Sequence, residues 1–308
     1  IDYDSATSGS YFEPETLEIF TLTLDSLEVD YVDDSHGNTR ALGQVLDYRA
    51  LMTLTSPEGV ESSEMIRVNY PLRVHGSPIY LLANGYAPTV TVRDPAGTVV
   101  YSESMPFIPQ DDATLTSLGV IKILHGLQYE GEDTQVGMRG FFYPSQVELD
   151  TGAYASNFPD LLNPVLTLDV FVGDLGVDGG IPQSVYALDT SGMQQITGRA
   201  IDVESLELHL GDTIELPEGM GTISFEAAPR YGAFDVMQNP AQTWVLVSAL
   251  AAVFGMLLSL FVPRRRMWVK AITTPDGVAL QYAALARGDD PTLEGAVEQL
   301  REKHRERL

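Results

Sequence analysis

Residues Trp244–Val262, with the sequence WVLVSALAAVFGMLLSLFV, decide how the chain is organised. These nineteen residues carry no charge, and as an α-helix they would span roughly 28 Å, enough to cross the hydrocarbon core of a bilayer. The alternative is a buried helix of a soluble protein, although an uncharged run of this length is uncommon in such folds. A position near the C-terminus excludes a secretory signal peptide. We therefore predict a transmembrane helix over 244–263.

Basic and aromatic residues mark the two ends of the predicted span. The residues predicted to lie at the membrane interface are Trp244, Arg264, Arg265, Arg266 and Trp268. A cluster of arginines directly after a span is typical of the cytoplasmic side, and the two tryptophans flank the span as interfacial anchors do. We predict an extracytoplasmic domain over 1–243 and a cytoplasmic tail over 264–308.

Small residues give the predicted span one face that is suited to helix packing. Ala251, Gly255 and Ser259 recur every four residues and therefore lie on the same side of a helix. Small side chains at this spacing let membrane helices approach closely. We predict that this face packs against other membrane helices.

Charge is divided unequally between the two parts of the chain. Residues 1–243 contain nine basic and 36 acidic side chains, a net of −27, whereas residues 244–308 have a net of +2. Nucleic acid is not an expected partner of the acidic part, because phosphate binding needs a basic surface. The acidic surface suits a cationic partner, and solubility alone also explains it. The chain has no cysteine, which excludes disulfides and thiol chemistry.

Short alternating runs separated by turn residues predict a mainly β fold, with a large β-sandwich-like extracytoplasmic domain. The alternation over residues 18–31 slips near Asp25, which predicts a bulge. Residues 90–101 are typical of a hairpin, and continuous alternation over residues 206–216 predicts a strand. Residues 125–163 are rich in Gly, Pro and Tyr, and we expect irregular structure there.

The short tail is predicted to contain a hairpin and a C-terminal helix. Residues 268–274 and 278–284 are expected to pair across the turn at Pro275. The helix is predicted to begin at Asp290-Pro291, with Asp290 as its N-cap.

Enzyme motifs are absent from the sequence. It contains no G-x-S-x-G, P-loop, H-E-x-x-H or dinucleotide-binding fingerprint. The five histidines are scattered singly: His36, His75, His125, His209 and His304. Asp174 and Asp178, in GDLGVDGG, leave a calcium site as an alternative, although their spacing is not that of an EF-hand loop. We expect no catalytic residue and no metal site in this chain.

Five segments carry a family resemblance. They are YFEPETLEIFTLTLDSLEVDY (11–31), VNYPLRVHGSPIYLLANGYAPTVTVRDPAGTVVY (68–101), FIPQD (107–111), GDLGVDGGIPQSVYALD (173–189), and Asn239-Pro240 and Trp244 followed by FVPRRRMWVK (261–270). In this order they resemble the ResB family of cytochrome c biogenesis proteins, particularly its actinobacterial members. The second segment is the most specific, and the ordered set carries the resemblance.

The resemblance implies a membrane subunit of the haem-ligation complex in the plasma membrane. Its expected partner is a ResC (CcsA)-type integral membrane protein, with which it would deliver haem and attach it to the CXXCH cysteines of apocytochrome c. Membrane lipid and a thioredoxin-like thiol reductant of the same pathway are further expected partners. Haem is handled by the complex, and no residue of this chain is assigned to it. The family layout also implies three spans before Ile1, where the family's haem-associated histidine lies, and the external haem ligands belong to ResC.

Two other functions stay open at this point. A β-rich ectodomain without enzyme motifs is compatible with a membrane-anchored binding or receptor module unrelated to haem. The excess of Asp and Glu is compatible with an extracytoplasmic hydrolase that uses carboxylates.

Overall fold

The computed structural model describes residues 19–33, 41–177, 186–237, 239, 241–261 and 264–307. The first ten strands are β1 (Thr21–Tyr31), β2 (Val45–Thr55), β3 (Glu61–Arg67), β4 (Leu72–Val74), β5 (Ser77–Tyr86), β6 (Thr89–Arg93), β7 (Val99–Ser104), β8 (Ile108–Pro109), β9 (Ser117–Tyr129) and β10 (Glu132–Tyr143). The next ten are β11 (Gln146–Glu148), β12 (Tyr154–Ser156), β13 (Val165–Gly173), β14 (Met193–Gln195), β15 (Leu206–His209), β16 (Thr213–Glu215), β17 (Thr222–Ala227), β18 (Arg230–Val236), β19 (Arg265–Thr274) and β20 (Gly277–Ala286). The α-helices are α1 (Gln242–Phe261) and α2 (Leu293–Arg305).

The chain divides into two units, Ile1–Gln238 and Asn239–Leu308. In the first unit, a small sandwich is built from the sheet β1-β2-β3 and the sheet β18-β5-β4. Its apolar residues meet between the two sheets, because alternate side chains of a strand point to opposite faces. The buried core of the small sandwich is Phe20, Leu27, Ala50, Met52, Ile66, Val74 and Ile79.

A large sandwich and the separate two-stranded sheet β11-β12 account for the other strands of the first unit. In the large sandwich, the sheet β16-β17-β6-β7 packs against a six-stranded sheet of order β14-β13-β10-β9-β8, in which β15 also pairs with β13. Aromatic rings fill the centre. The ring centroid of Phe142 lies 5.4 Å from that of Tyr86 and 6.0 Å from that of Phe225. The chain enters this sandwich from β5 to β6 and returns to the small sandwich from β17 to β18.

The predicted mainly β, sandwich-like fold is confirmed, with two sandwiches in the first unit. The predicted bulge near Asp25 is present, because the register of β1 against β2 shifts between Leu24 and Ser26. The predicted hairpin over residues 90–101 is also present as the antiparallel pair of β6 and β7.

Two strand predictions were wrong. Residues 125–163 are not irregular, because they contain the end of β9 and all of β10, which pair with each other near the centre of the six-stranded sheet. Two of their glycines, Gly137 and Gly140, lie inside β10, whereas Gly131 and Gly152 lie in the turns between strands. Residues 206–216 form two strands, since the chain turns at Gly211, where the backbone N–H of His209 donates to Asp212 Oδ2 at 2.9 Å. The two strands then join different sheets.

The second unit contains α1, the β19–β20 hairpin and α2. The predicted hairpin is confirmed, with Arg265 paired to Ala286 at its open end. A C-terminal helix is present, but the predicted cap was wrong, because the N-cap residue is Thr292. The carboxylate of Asp290 accepts hydrogen bonds from Arg265 at 2.6 and 3.1 Å and from the backbone N–H of Thr292 at 3.1 Å.

Candidate functional site

An open cleft of about 1140 Å³ crosses the outer face of the six-stranded sheet in the large sandwich. Its floor is formed by β10 and β13. Met138 points into the core, so the neighbouring side chains Arg139 and Phe141 face outward on β10. Thr167 and Asp169 occupy the corresponding outward positions on β13. A rigid sheet therefore supports four of the side chains that line the cleft.

Two loop regions form the walls of the cleft and are tied to each other. One wall is the end of the β11–β12 hairpin, and the other is the segment 199–207. The hydroxyl of Tyr154 donates to Glu207 Oε2 at 2.7 Å, and Arg199 Nη2 donates to the carbonyl of Gly152 at 3.3 Å. These two contacts hold the walls at a fixed separation.

A hydrogen bond also fixes the wall segment to the floor. Ser205 Oγ donates to Asp169 Oδ1 at 2.5 Å. The backbone of Gly198 passes so close that a Cβ atom there would lie 2.7 Å from Cγ of Asp169, and its φ is 119°. Only glycine adopts this backbone conformation without strain while leaving room for the carboxylate.

Acidic groups outnumber basic groups in the cleft. The charged lining consists of Asp169, Asp202, Glu204, Glu207, Arg139 and Arg199. The hydrogen bond to Glu207 raises the pKa of Tyr154 above its usual range, so the phenol stays a neutral donor. The ring of Phe141 is 40% exposed and stacks on Tyr143 with 6.2 Å between centroids. The cleft therefore offers carboxylates beside an exposed aromatic surface.

The described lining contains no histidine, so it lacks the side chain that most often transfers protons near neutral pH. Carboxylates, hydroxyls and rings along an open sheet surface suit binding of an extended polar segment. The sequence analysis did not predict this cleft. The residue that could have indicated it is Asp169, the one charged side chain of the largely apolar strand β13.

A second polar cluster lies where the two sandwiches meet, and Arg230 is at its centre. Its Nη1 donates to the hydroxyl of Tyr31 and to Asn84 Oδ1, both at 3.1 Å. Its Nη2 donates to Asp160 Oδ1 at 3.0 Å, and its guanidinium lies 4.5 Å from the ring centroid of Tyr86. Since Asp160 belongs to the large sandwich and the other partners to strands of the small one, Arg230 joins the two sandwiches.

The residues predicted for membrane contact lie in the second unit. α1 includes Trp244, which is 74% exposed, and the helix is exposed along its described length. Residues 262–263, the end of the predicted span, lie outside the described residues. A Cβ atom on Gly255 would meet no heavy atom within 4 Å, so the face it shares with Ala251 and Ser259 is open. Packing of this face stays a prediction.

The three arginines after the span have different surroundings. Arg264 Nη2 donates to Ser259 Oγ at 3.3 Å, and Arg265 pairs with Asp290. Arg266 and Trp268 lie on the other face of β19 from Arg265, because alternate residues of a strand share a face. Their predicted contact with the membrane interface stays a prediction.

The described histidines are not brought together. His209 Nε2 lies 3.6 Å from Glu207 Oε1, and His304 Nδ1 lies 3.0 Å from the hydroxyl of Tyr282. Within the described ranges, no group of three His, Asp or Glu residues is arranged to hold a metal ion. His36 and Asp178 lie outside those ranges, so the calcium hypothesis stays a prediction.

Together these features define a class of protein: a double β-sandwich domain followed by a helix, Gln242–Phe261, with the length and apolar composition to cross a membrane. The chain belongs to the ResB-like family, whose match covers residues 1–298 and confirms the resemblance found in the sequence. No curated protein and no solved structure matches the chain. The family is known in cytochrome c biogenesis, which supports this general role, and with the apolar helix it indicates membrane association.

Proposed function

We propose that this protein is the membrane subunit of a haem-ligation complex that works with a ResC (CcsA)-type partner. The complex delivers haem and attaches it covalently to apocytochrome c outside the membrane, with a thioredoxin-like thiol reductant acting in the same pathway. The observation that carries the proposal is the match to the ResB-like family over residues 1–298. In this proposal the chain is an accessory subunit of the lyase and supplies no catalytic residue.

The proposed orientation in the plasma membrane is supported by the distribution of charge. The basic cluster Arg264–Arg266 supports a cytoplasmic position for residues 264–308. The first unit then lies outside the membrane, where apocytochrome c receives haem. Its acidic surface is suited to a lysine-rich partner, because complementary charge steers association and selects partners.

Within the first unit, the cleft is the proposed contact for apocytochrome c. Its exposed Phe141 and its carboxylates, among them Asp202 and Glu204, would receive an extended cationic segment. Haem fits this lining less well. The described lining offers no histidine, cysteine or methionine, and its excess carboxylates would repel the haem propionates.

A charge change in the cleft tests this proposal. In a strain that lacks the gene, the wild-type chain should restore covalent-haem bands on a denaturing gel. The double variant Asp202→Asn/Glu204→Lys should restore about fivefold less, the effect of roughly 1 kcal/mol of lost charge attraction. Neither side chain takes part in the two bonds that tie the walls, Tyr154–Glu207 and Arg199–Gly152, so the cleft keeps its shape.

The matched control makes the same charge change outside the cleft, at exposed positions. Asp112→Asn/Glu132→Lys should restore haem attachment fully. If haem attachment falls equally in the cleft and control variants, the role of the cleft is contradicted but the haem-ligation function is not. Normal bands in the deletion strain would contradict the haem-ligation function and favour a receptor unrelated to haem.

Substitution of Gly255 tests the proposed packing of α1 against a ResC-type partner. Because a side chain at this position would project from the open small-residue face, Gly255→Leu should lower co-purification of the partner about tenfold while membrane insertion stays intact. Val253→Leu, about 200° around the helix, is the control and should co-purify normally. Unchanged co-purification with Gly255→Leu would contradict this packing.

A further inference from the structure

The β19–β20 hairpin has two faces, and α2 covers one of them. On the covered face, Arg265 pairs with Asp290 at 2.6 Å, and the hydroxyl of Tyr282 lies 3.0 Å from His304 Nδ1. The alternate residues Tyr282, Ala284 and Ala286 of β20 are half-buried, whereas the residues between them are exposed. The opposite face of the hairpin therefore has no covering element within the described part of the second unit.

This open face is rich in basic and apolar side chains. In the strand register, Arg266 is opposite Leu285, Trp268 is opposite Ala283, and Lys270 is opposite Gln281. Arg264 and Arg287 extend the same register, because the backbone N–H of Arg287 donates to the carbonyl of Arg264 at 3.1 Å. The open face is defined by Arg264, Arg266, Trp268, Lys270, Ile272, Gln281, Ala283, Leu285 and Arg287.

The charge of the open face has one sign. It contains four basic residues and no carboxylate. In α2, the element that covers the other face, the acidic residues Glu294, Glu298 and Glu302 are mixed with the basic residues Arg301, Lys303 and Arg305. The open face is therefore complementary to anionic groups.

We propose that the open face lies on the anionic lipid headgroups of the membrane leaflet from which α1 emerges. The proposal rests on the membrane-spanning role of α1. Three residues lie between Phe261, the last residue of α1, and Arg265, the first of β19, and the four residue-to-residue steps reach at most about 14 Å. The hairpin therefore begins within reach of the headgroups at the end of the span.

The side chains of the open face fit this environment individually. Trp268 is 49% exposed and Leu285 is 61% exposed, so both can enter the boundary between headgroups and acyl chains. Basic side chains keep their charge among the phosphates while their alkyl stems cover apolar surface. Near an anionic surface each lysine or arginine strengthens binding about fivefold.

Fluorescence of single-tryptophan proteins tests this inference on the full chain. The chain has only Trp244 and Trp268, so Trp244→Phe leaves Trp268 as the reporter. The protein is placed in nanodiscs that contain a lipid with a nitroxide quencher at headgroup depth. Trp268 should be quenched about twofold more strongly in discs rich in phosphatidylglycerol than in neutral phosphatidylcholine discs, and added salt should reduce the difference.

Charge variants show whether the open face is responsible. In the Trp244→Phe background, the triple variant Arg266→Gln/Lys270→Gln/Arg287→Gln should lose the extra quenching in anionic discs. The control Arg301→Gln/Lys303→Gln/Arg305→Gln removes the same charge from exposed positions of α2 and should keep it. Equal quenching in both lipids, or equal loss in both variants, would overturn the proposal.

Two further measurements distinguish failure of lipid binding from failure of α1 to span the membrane, and a lipid surface from a protein partner. Trp268→Phe leaves Trp244, whose quenching in both kinds of disc should report membrane insertion of α1. If Trp244 is not quenched, both the spanning role of α1 and the binding of the open face to headgroups are overturned. If Trp244 is quenched but Trp268 is not, only the binding of the open face to headgroups is overturned. Shielding of Trp268 that requires a co-reconstituted protein would assign the open face to that protein.

Discussion

Replacing Arg230 with methionine is expected to lower the free energy of unfolding of the first unit by about 3–4 kcal/mol. The Arg230 side chain is only 13% exposed, and its guanidinium donates three hydrogen bonds. Methionine keeps an apolar stem of similar length but leaves Tyr31, Asn84 and Asp160 without this donor. The loss is large because Tyr31 and Asn84 are buried and both lose this donor, whereas the half-exposed Asp160 still accepts a hydrogen bond from the hydroxyl of Tyr86.

Aromatic contacts of Arg230 add to this loss. Its guanidinium lies 4.5 Å from the ring centroid of Tyr86 and 5.4 Å from that of Tyr31, and each such contact is worth about 0.5–2 kcal/mol. Burial raises the pKa of both tyrosines, so they remain neutral partners across the physiological range. Because Asp160 comes from the large sandwich, the substitution should also weaken the connection between the sandwiches.

Denaturant unfolding of the full chain in detergent, followed by circular dichroism of the strands, measures this effect. Arg93→Met is the control, since Arg93 is exposed and its Nη1 makes a single long contact of 3.3 Å with the carbonyl of Gly97. It should change stability by less than about 0.5 kcal/mol. Hydrogen exchange should show the small sandwich opening first in Arg230→Met. Equal stability of the two variants would contradict the role of Arg230.

Local patterns were sufficient to predict the span and those strands, such as β1, that alternate clearly. Alternation in β1 is a property of neighbouring residues, and even its bulge at Asp25 is visible as a slip in that alternation. The uncharged run that forms α1 is likewise local. The pairing of strands distant in sequence could not be predicted in this way. Asn84 of β5 contacts Arg230 of β18 across 146 residues, and no short-range pattern specifies that partner.

The cleft was beyond sequence reasoning for the same reason. Its floor and walls come from segments between Leu118 and Glu207 that meet only because β10 and β13 are neighbours in one sheet. Whether Arg139 and Asp169 lie in a cleft or on a flat surface depends on the loops beside them. The glycine content of residues 125–163 is the reason that irregular structure was predicted there, although Gly140 lies inside β10.

Gly140→Ala is expected to destabilise the first unit by about 3 kcal/mol or more, because overpacking against backbone cannot relax easily. A Cβ atom at this position would lie 1.7 Å from the carbonyl oxygen of Thr167 and 2.6 Å from its carbonyl carbon. Both atoms belong to the backbone of β13, which is held by β10 on one side and by β14 and β15 on the other. The strands must separate to admit a single methyl group.

Gly137→Ala in the same strand is the matched control. Its nearest neighbours would be side-chain atoms, Leu188 Cδ1 at 2.7 Å and Leu175 Cδ2 at 3.2 Å. Leucine ends can rotate away, so the expected cost is only about 1 kcal/mol. Both variants are compared by denaturant unfolding of the full chain in detergent. Equal destabilisation by Gly140→Ala and Gly137→Ala would show that the two strands move apart as easily as the leucine side chains rotate. A larger loss for Gly140→Ala would establish that close contact between β10 and β13 fixes the floor between Arg139 and Phe141, and with it the shape of the cleft.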